Sequence, residues 1–249
     1  MTTETELLKN WEDSTDRYSN LVNSELNSFK REAWLKIISE NVETLESLKV
    51  LDVGTGPGFF AIILSQAGSQ VRAVDYTETM VEAARANAEK LDLKIDFQKA
   101  DSQDLPFDDN TFDLVISRNV AWTLIDAEKA YREWKRVLKP KGSTLIFDAN
   151  WNYDLFNEER HAAVLKDYEE CRVRFPEQPL HIFTPEMIEF RRKMPQCARL
   201  RPNWDLGALL DAGFSKIYCE ANISSRVYTE SEQLMYRSSP MFLIKAEKS

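Results

Sequence analysis

No stretch of the chain restricts its fold more than Val50-Leu51-Asp52-Val53-Gly54-Thr55-Gly56-Pro57-Gly58-Phe59-Phe60. An apolar run of strand length ends abruptly in three closely spaced glycines, and a second apolar run, Ala61 to Leu64, follows at once. Glycine is needed where backbone turns tightly or approaches a ligand with no Cβ in between. An ordinary strand-to-helix turn needs one glycine. Three of them, opening onto a helix N-terminus, predict a nucleotide-like ligand at this corner.

The pattern downstream alternates. Strands are expected at 50–53, 70–75, 95–99, 112–117 and 144–147, with further strands at 216–221 and 241–245. Gly68 stops the first helix, and Thr79 with Glu82 has the form of a capping box opening the second. Val81, Ala84, Ala88 and Leu91 give that helix its apolar stripe. Asp126 is placed to cap a later helix whose buried face carries Ala127, Ala130, Tyr131, Trp134, Val137 and Leu138. Lys139-Pro140-Lys141-Gly142 turns the chain into the fifth strand. Such alternation predicts an α/β fold, a doubly wound, mostly parallel seven-stranded sheet of Rossmann-like form with helices on both faces. Residues 1–40 read as an amphipathic helical cover, with Trp11 and Tyr18 on one stripe and Leu26, Phe29, Ala33 and Ile37 on another. Residues 41–148 form the ligand-binding core and 149–203 a helical, aromatic insertion that serves as a substrate lid. Residues 204–249 complete the sheet.

Charge and cysteine usage narrow the function. A net charge of −9 and a pI near 5.0 disfavour a general nucleic-acid binder. The start, Met1-Thr2-Thr3-Glu4-Thr5-Glu6, is polar and acidic, unlike a signal peptide, and no apolar run has the length of a membrane span. Cys171, Cys197 and Cys219 lack C-x-x-C spacing and read as reduced thiols of a cytoplasmic protein.

In open parallel sheets ligands sit beyond the carboxyl ends of the strands. That rule gathers Gly54, Gly56 and Gly58 with Asp75, Asp101, Arg118 and Asn119, and with Asp148, Asn150 and Trp151, into one crevice. A carboxylate at Asp75 suits a ribose diol. A dinucleotide fold wants G-x-G-x-x-G, but its third glycine falls on Phe59 whether counted from Gly54 or Gly56. No Gly-Lys-Ser/Thr follows, which excludes a Walker loop.

With these motifs in order, the sequence resembles the class I S-adenosylmethionine-dependent methyltransferases, in the branch that includes quinone-biosynthesis methyltransferases. The resemblance rests on Val50–Gly58, on Asp75 with Met80, and on Ala100-Asp101-Ser102 with Leu105-Pro106-Phe107. Phe112-Asp113-Leu114-Val115-Ile116-Ser117 and Arg136-Val137-Leu138-Lys139-Pro140-Lys141-Gly142 carry it further. It implies that Asp52, Gly54, Thr55, Gly56 and Gly58 hold the amino-acid end of S-adenosylmethionine, and Asp75 its ribose. Tyr76 and Met80 would lie against the adenine, and Asp101 with Ser102 would meet its amino edge. Arg118 would approach the methionine portion. Tyr18 either closes over the same end or simply packs.

Methyl transfer from a sulfonium is an in-line displacement that alignment in a dry site can promote, with no metal required. A general base is needed only where the accepting atom must lose a proton, and His161 and His181 are the candidates. Ser117-Arg118-Asn119-Val120-Ala121-Trp122 stands where amide and DNA methyltransferases of this kind carry Asn/Asp-Pro-Pro-Tyr/Phe, which disfavours a nucleic-acid base as acceptor. The expected acceptor is a small molecule bound by Asn119, Trp122, Asn150, Trp151 and Tyr153, with the basic residues Arg191, Arg192, Lys193, Arg199 and Arg201 available to pair with an anionic group. Asp148 and Asn150 are a thin basis for a divalent-metal site. A non-catalytic S-adenosylmethionine-binding regulator and an aminopropyl or carboxypropyl transferase are the competing readings.

Overall fold

The computed structural model describes residues 3–180 and 183–249. Seven strands form one sheet: β1 (Lys49–Val53), β2 (Gln70–Asp75), β3 (Asp96–Lys99), β4 (Phe112–Arg118), β5 (Leu138–Asp148), β6 (Lys216–Glu220) and β7 (Phe242–Glu247). Their spatial order is β3-β2-β1-β4-β5-β7-β6. β1 to β5 pair in parallel, while β7 runs antiparallel to both β5 and β6. Strand order reverses between β1 and β4, so a crevice opens at their carboxyl ends.

The central strands are buried on both faces, as their unbroken apolar runs require. One face packs on α6 (Ala127–Val137) and α9 (Asn203–Asp211), through Tyr131, Trp134, Leu209 and Phe214. The other packs on α3 (Lys30–Ser39) and α4 (Phe59–Gln66), where Trp34 meets Phe60 and Phe147 edge-on at ring separations of 5.2 and 5.0 Å. Asp126 caps α6 as expected, accepting from the Lys129 amide at 2.8 Å. α5 (Glu78–Glu89) is capped by Thr77 instead of the expected Thr79; Thr79 lies inside the helix, and its hydroxyl shares a 2.8 Å hydrogen bond with that of Thr15. Leu91, expected on the buried stripe of α5, lies past its end and is exposed. The Lys139–Gly142 excursion interrupts β5 pairing, between the partners Phe112–Leu138 and Leu114–Ser143.

The amino-terminal cover is three helices, α1 (Thr3–Glu12), α2 (Thr15–Leu26) and α3. Its buried stripe on α3 is Trp34, Ile37 and Ile38, while Phe29 is half exposed ahead of the helix. After β5 come α7 (Glu158–Arg174) and α8 (Pro185–Lys193); the chain between β6 and β7 adds α10 (Ser224–Val227) and α11 (Glu230–Met235). α11 packs on α7 through Leu234, Met235 and Cys171. Among the described residues, no helix is long and apolar enough to cross a membrane.

Candidate active site

A cavity of about 760 Å³ opens at the carboxyl ends of β1, β2 and β4, a volume in the range that encloses a metabolite-sized ligand. Its floor is the glycine turn. Gly54, Gly56 and Gly58 all take positive φ, at 65°, 51° and 93°. A Cβ on Gly54 would stand 2.4 Å from Val120 Cγ2, so this glycine lets the turn pack against the chain beyond β4. A Cβ on Gly56 would meet nothing within 4 Å, because that backbone faces the open cavity. Gly58 does not line the cavity; its α-carbon lies against Ala84 of α5.

Two aspartates fasten the turn. Asp52 Oδ2 accepts from the Thr55 hydroxyl at 2.6 Å and from the Ala61 amide at 3.0 Å. Asp75 Oδ2 accepts from the Gly56 amide at 2.9 Å, and Oδ1 from the Thr77 amide and hydroxyl at 3.0 and 3.1 Å. Burial pushes the Asp52 carboxyl up from 3.8 to about 6, against the pull of Thr55, Ala61 and Arg118. Burial also raises Asp75, opposed by the donors of Thr77 and Gly56. Tyr76, Met80, Asp101 and Ser102 line the same end. Asp101 accepts from the Gln103 amide at 2.8 Å, and the Ser102 carbonyl accepts from Trp134 Nε1 at 3.2 Å.

Arg118, at the end of β4, is already engaged. Its Nη2 donates to Glu25 at 2.8 Å and its guanidinium lies 4.5 Å from the Phe59 ring centre. Glu25 also pairs with Lys30 at 3.3 Å, and Lys30 with Glu232 at 2.6 Å. Burial raises the Glu25 carboxyl, but Arg118 and Lys30 outweigh it and hold the group below its ordinary 4.5. All four ion-paired residues line the cavity. Sequence reasoning missed Glu25, Lys30 and Glu232; the Thr229–Glu232 capping box marks the helix that brings Glu232, though not its destination.

The remaining walls are aromatic. Tyr18 lines the cavity beside Trp11, at 5.8 Å between rings, and Trp11 meets Trp122 at 6.1 Å. Trp151 donates from Nε1 to Asn119 Oδ1 at 3.1 Å and meets Tyr236 edge-on at 5.3 Å. Tyr168, Tyr228 and Phe183 complete this half. Asn150 and Tyr153, expected here, do not line the cavity. The Asn150 side chain is closed in a reciprocal pair with the Arg201 backbone. His161 is half exposed, 2.9 Å from Asp154, and also lies off the cavity. His181 lies outside the described residues.

The basic residues expected to cluster are dispersed. Arg201 is fully buried between Asp148 and Asp205, at 2.8 Å from each. Arg199 stacks on Trp204 at 3.8 Å, Arg192 lies over Phe156, and Lys193 pairs with Glu6 at 3.1 Å. Only Arg191 of the five lines the cavity. Asp148 is sealed beneath Arg201 and the Trp122 amide, away from any ligand. Among the described residues, no group of three or more His, Cys, Asp or Glu is arranged to hold a metal ion, and the three cysteines are unpaired.

The chain is similar to known methyltransferases in sequence and in fold. Residues 51–146 match the family described as "Methyltransferase domain". The uncharacterized methyltransferase YcgJ of Bacillus subtilis is 35% identical over 115 residues, covering 46% of each chain. The demethylmenaquinone methyltransferase of Clavibacter sepedonicus is 33% identical over 113 residues, 45% of this chain and 46% of that protein. The matched stretch thus spans about half the length of these curated relatives. The crystal structure of a SAM dependent methyltransferase from Aquifex aeolicus superposes with a TM-score of 0.59 at 23% identity, covering 93% of this chain and 98% of that one. Residues 51–146 thus match a methyltransferase domain, and the chain has the fold of a SAM dependent methyltransferase of known structure.

Proposed function

We propose that the protein binds S-adenosylmethionine at the glycine turn and transfers its methyl group to a small, largely planar molecule held in the aromatic half of the cavity. The observation that carries this reading is the open backbone at Gly56, flanked by Asp52, Asp75 and Asp101 in the one cavity that also has walls of Trp122, Trp151, Tyr228 and Tyr236. The residues present fit the donor. The empty volume where a Gly56 Cβ would stand admits close approach, Asp75 Oδ2 has a lone pair left for a ribose hydroxyl, and Tyr76 and Met80 supply apolar surface for a base.

When bound, S-adenosylmethionine supplies a methyl group on a sulfonium, whose departure leaves a neutral thioether. The protein's part is to align and to dry the site. Asp52, ionised above about pH 6, provides negative charge toward a cationic ligand. The cover helices and α11 exclude water, and the aromatic walls orient a flat acceptor. Since His161 lies off the cavity, the tyrosines on its wall are the groups placed to relay an acceptor proton.

Calorimetric titration of the full chain with S-adenosylmethionine, S-adenosylhomocysteine and NADH tests the donor. The first two should bind, and Asp75→Asn should weaken them about ten- to hundredfold, the range for a lost charge-assisted hydrogen bond. Tight NADH binding with no heat from the other two would overturn the reading. A labelled methyl donor incubated with metabolite extract then reports transfer.

A further inference from the structure

Three cations of the cavity wall can be compared directly. Arg118 and Lys30 are each bonded to carboxylates. Arg191 is not: among the described residues it forms no ion pair, its Nη1 donates to the Met187 carbonyl of its own helix at 3.0 Å, and its guanidinium lies 4.2 Å from the Phe183 ring centre. Its Nε is buried and has no hydrogen-bond partner among the described residues. Burial pulls this guanidinium below its ordinary value, and nearby Arg17, itself on the cavity wall, acts in the same direction. A part-desolvated charge without a counter-ion is costly to hold. α8 nevertheless presents it to the cavity, locked by the stack on Phe183 and the tie to Met187.

We propose that Arg191 is an oxyanion subsite of the acceptor pocket, so that the methyl acceptor carries a carboxylate or a phosphate group joined to its planar body. This rests on the reading of the cavity as a methyltransferase site. A guanidinium offers either oxyanion charge-assisted donors, here from its Nη nitrogens, since Nε is closed off by the protein. Arg17 adds positive potential at the same end, while Tyr18 and Tyr168, both close enough to act on the Arg191 charge, offer hydroxyls to the remaining oxygens. The acceptor's ring would then lie among Trp122, Trp151 and Tyr236.

The test titrates benzoate, phenyl phosphate and neutral benzyl alcohol into the full chain, alone and saturated with S-adenosylhomocysteine, following the heat of binding. At least one oxyanion should bind about ten- to hundredfold more tightly than the alcohol, and the preference between benzoate and phenyl phosphate assigns the group. Arg191→Gln should erase that advantage, Arg191→Lys should retain part of it, and Arg192→Gln, whose side chain lies off the cavity, should leave it intact. Thermal midpoints of the variants show whether each is folded; if the glutamine variant is not, the lysine variant must still lose part of the advantage. Equal binding of the alcohol and both oxyanions, or an advantage that survives in folded Arg191→Gln, would overturn the subsite. Absence of any S-adenosylhomocysteine binding would sink the methyltransferase reading instead, and the probe comparison on the unsaturated chain would still decide the subsite.

Discussion

Replacing Asp52 by asparagine should make the protein more stable at pH 7.5 and leave it nearly unchanged at pH 4. Asp52 is 2% exposed, and burial lifts its carboxyl from 3.8 to about 6 in the folded chain. A carboxyl raised on folding contributes stability that is fully present below 3.8 and is lost as pH climbs through about 6. The penalty at neutral pH is the difference of about 2.2 pH units at 1.36 kcal/mol each, or about 3 kcal/mol. Asparagine keeps an oxygen to accept from Thr55 and Ala61, and its amide nitrogen takes the position of Oδ1, which has no protein partner among the described residues. It therefore resembles the protonated acid at every pH. Urea unfolding of both proteins between pH 4 and 8 measures the effect, with a rise in thermal midpoint of roughly 6–12 °C at pH 7.5 as the calorimetric equivalent. The same variant should bind S-adenosylmethionine more weakly at pH 7.5, because the charge that destabilises the fold is the charge offered to a cationic ligand. A stability difference that stays constant from pH 4 to 8 would refute the argument, whatever its size.

The two cavity-floor glycines should separate folding from binding. Gly54→Ala combines a left-handed φ of 65° with a Cβ 2.4 Å from Val120, and should cost about 2–5 kcal/mol in urea unfolding from backbone strain plus overpacking. Gly56→Ala meets no atom within 4 Å and should cost only about 1–2 kcal/mol of stability, while sharply weakening S-adenosylhomocysteine in calorimetry because its methyl occupies ligand space. Arg201→Met should lose about 3–5 kcal/mol, since it leaves Asp148 and Asp205 buried without a counter-ion. Adding Asp205→Asn to Arg201→Met should recover part of that loss in the same unfolding assay, as one of the two stranded charges is gone.

The parts that sequence made legible are those whose cause is local. Three glycines at fixed spacing need no partner elsewhere to define a turn, and Asp75 ends the strand beside theirs, so Gly54, Gly56 and Asp75 could be placed together from sequence; Asp148 also ends a parallel strand, but the distant Arg201 seals it off. The cap of α5 was less accessible: Thr77 and Thr79 both stand near its start, and only the backbone geometry selects Thr77. On α3, the expected stripe carried Ile37 into the core, but Phe29 and Ala33 satisfied helical spacing without joining it, where Trp34 and Ile38 do beside Phe60 and Phe147. Charge patterns misled for a related reason. Arg191 to Arg201 are neighbours in sequence, yet the helix bearing Arg191 and the segment bearing Arg201 deliver them to a cavity wall and to a sealed core pair respectively. Lys30 and Glu232, 202 residues apart, could not have been matched from pattern at all.

The two halves of the cavity thus differ in how they are built. The glycine-turn half is backbone and short-range hydrogen bonding, Asp52 to Thr55 and Ala61 and Asp75 to Gly56 and Thr77. The aromatic half is assembled from the amino-terminal cover, the segment after β5 and the segment between β6 and β7, and its two sides are held differently. On one side the chain Arg118–Glu25–Lys30–Glu232 ties α2, α3 and α11 to the end of β4 through ion pairs whose side chains are at most 17% exposed. Removing any interior member strands a buried charge, which fixes that wall. On the other side α8 meets α1 through Leu7 and Phe190 and through the exposed pair Lys193–Glu6, and an exposed pair contributes only about 0–1 kcal/mol. If the proposed reading holds, substitutions on α8 should change which acceptor is taken with less loss of stability than substitutions in the ion-pair chain, since α8 also carries Arg191, which forms no ion pair among the described residues.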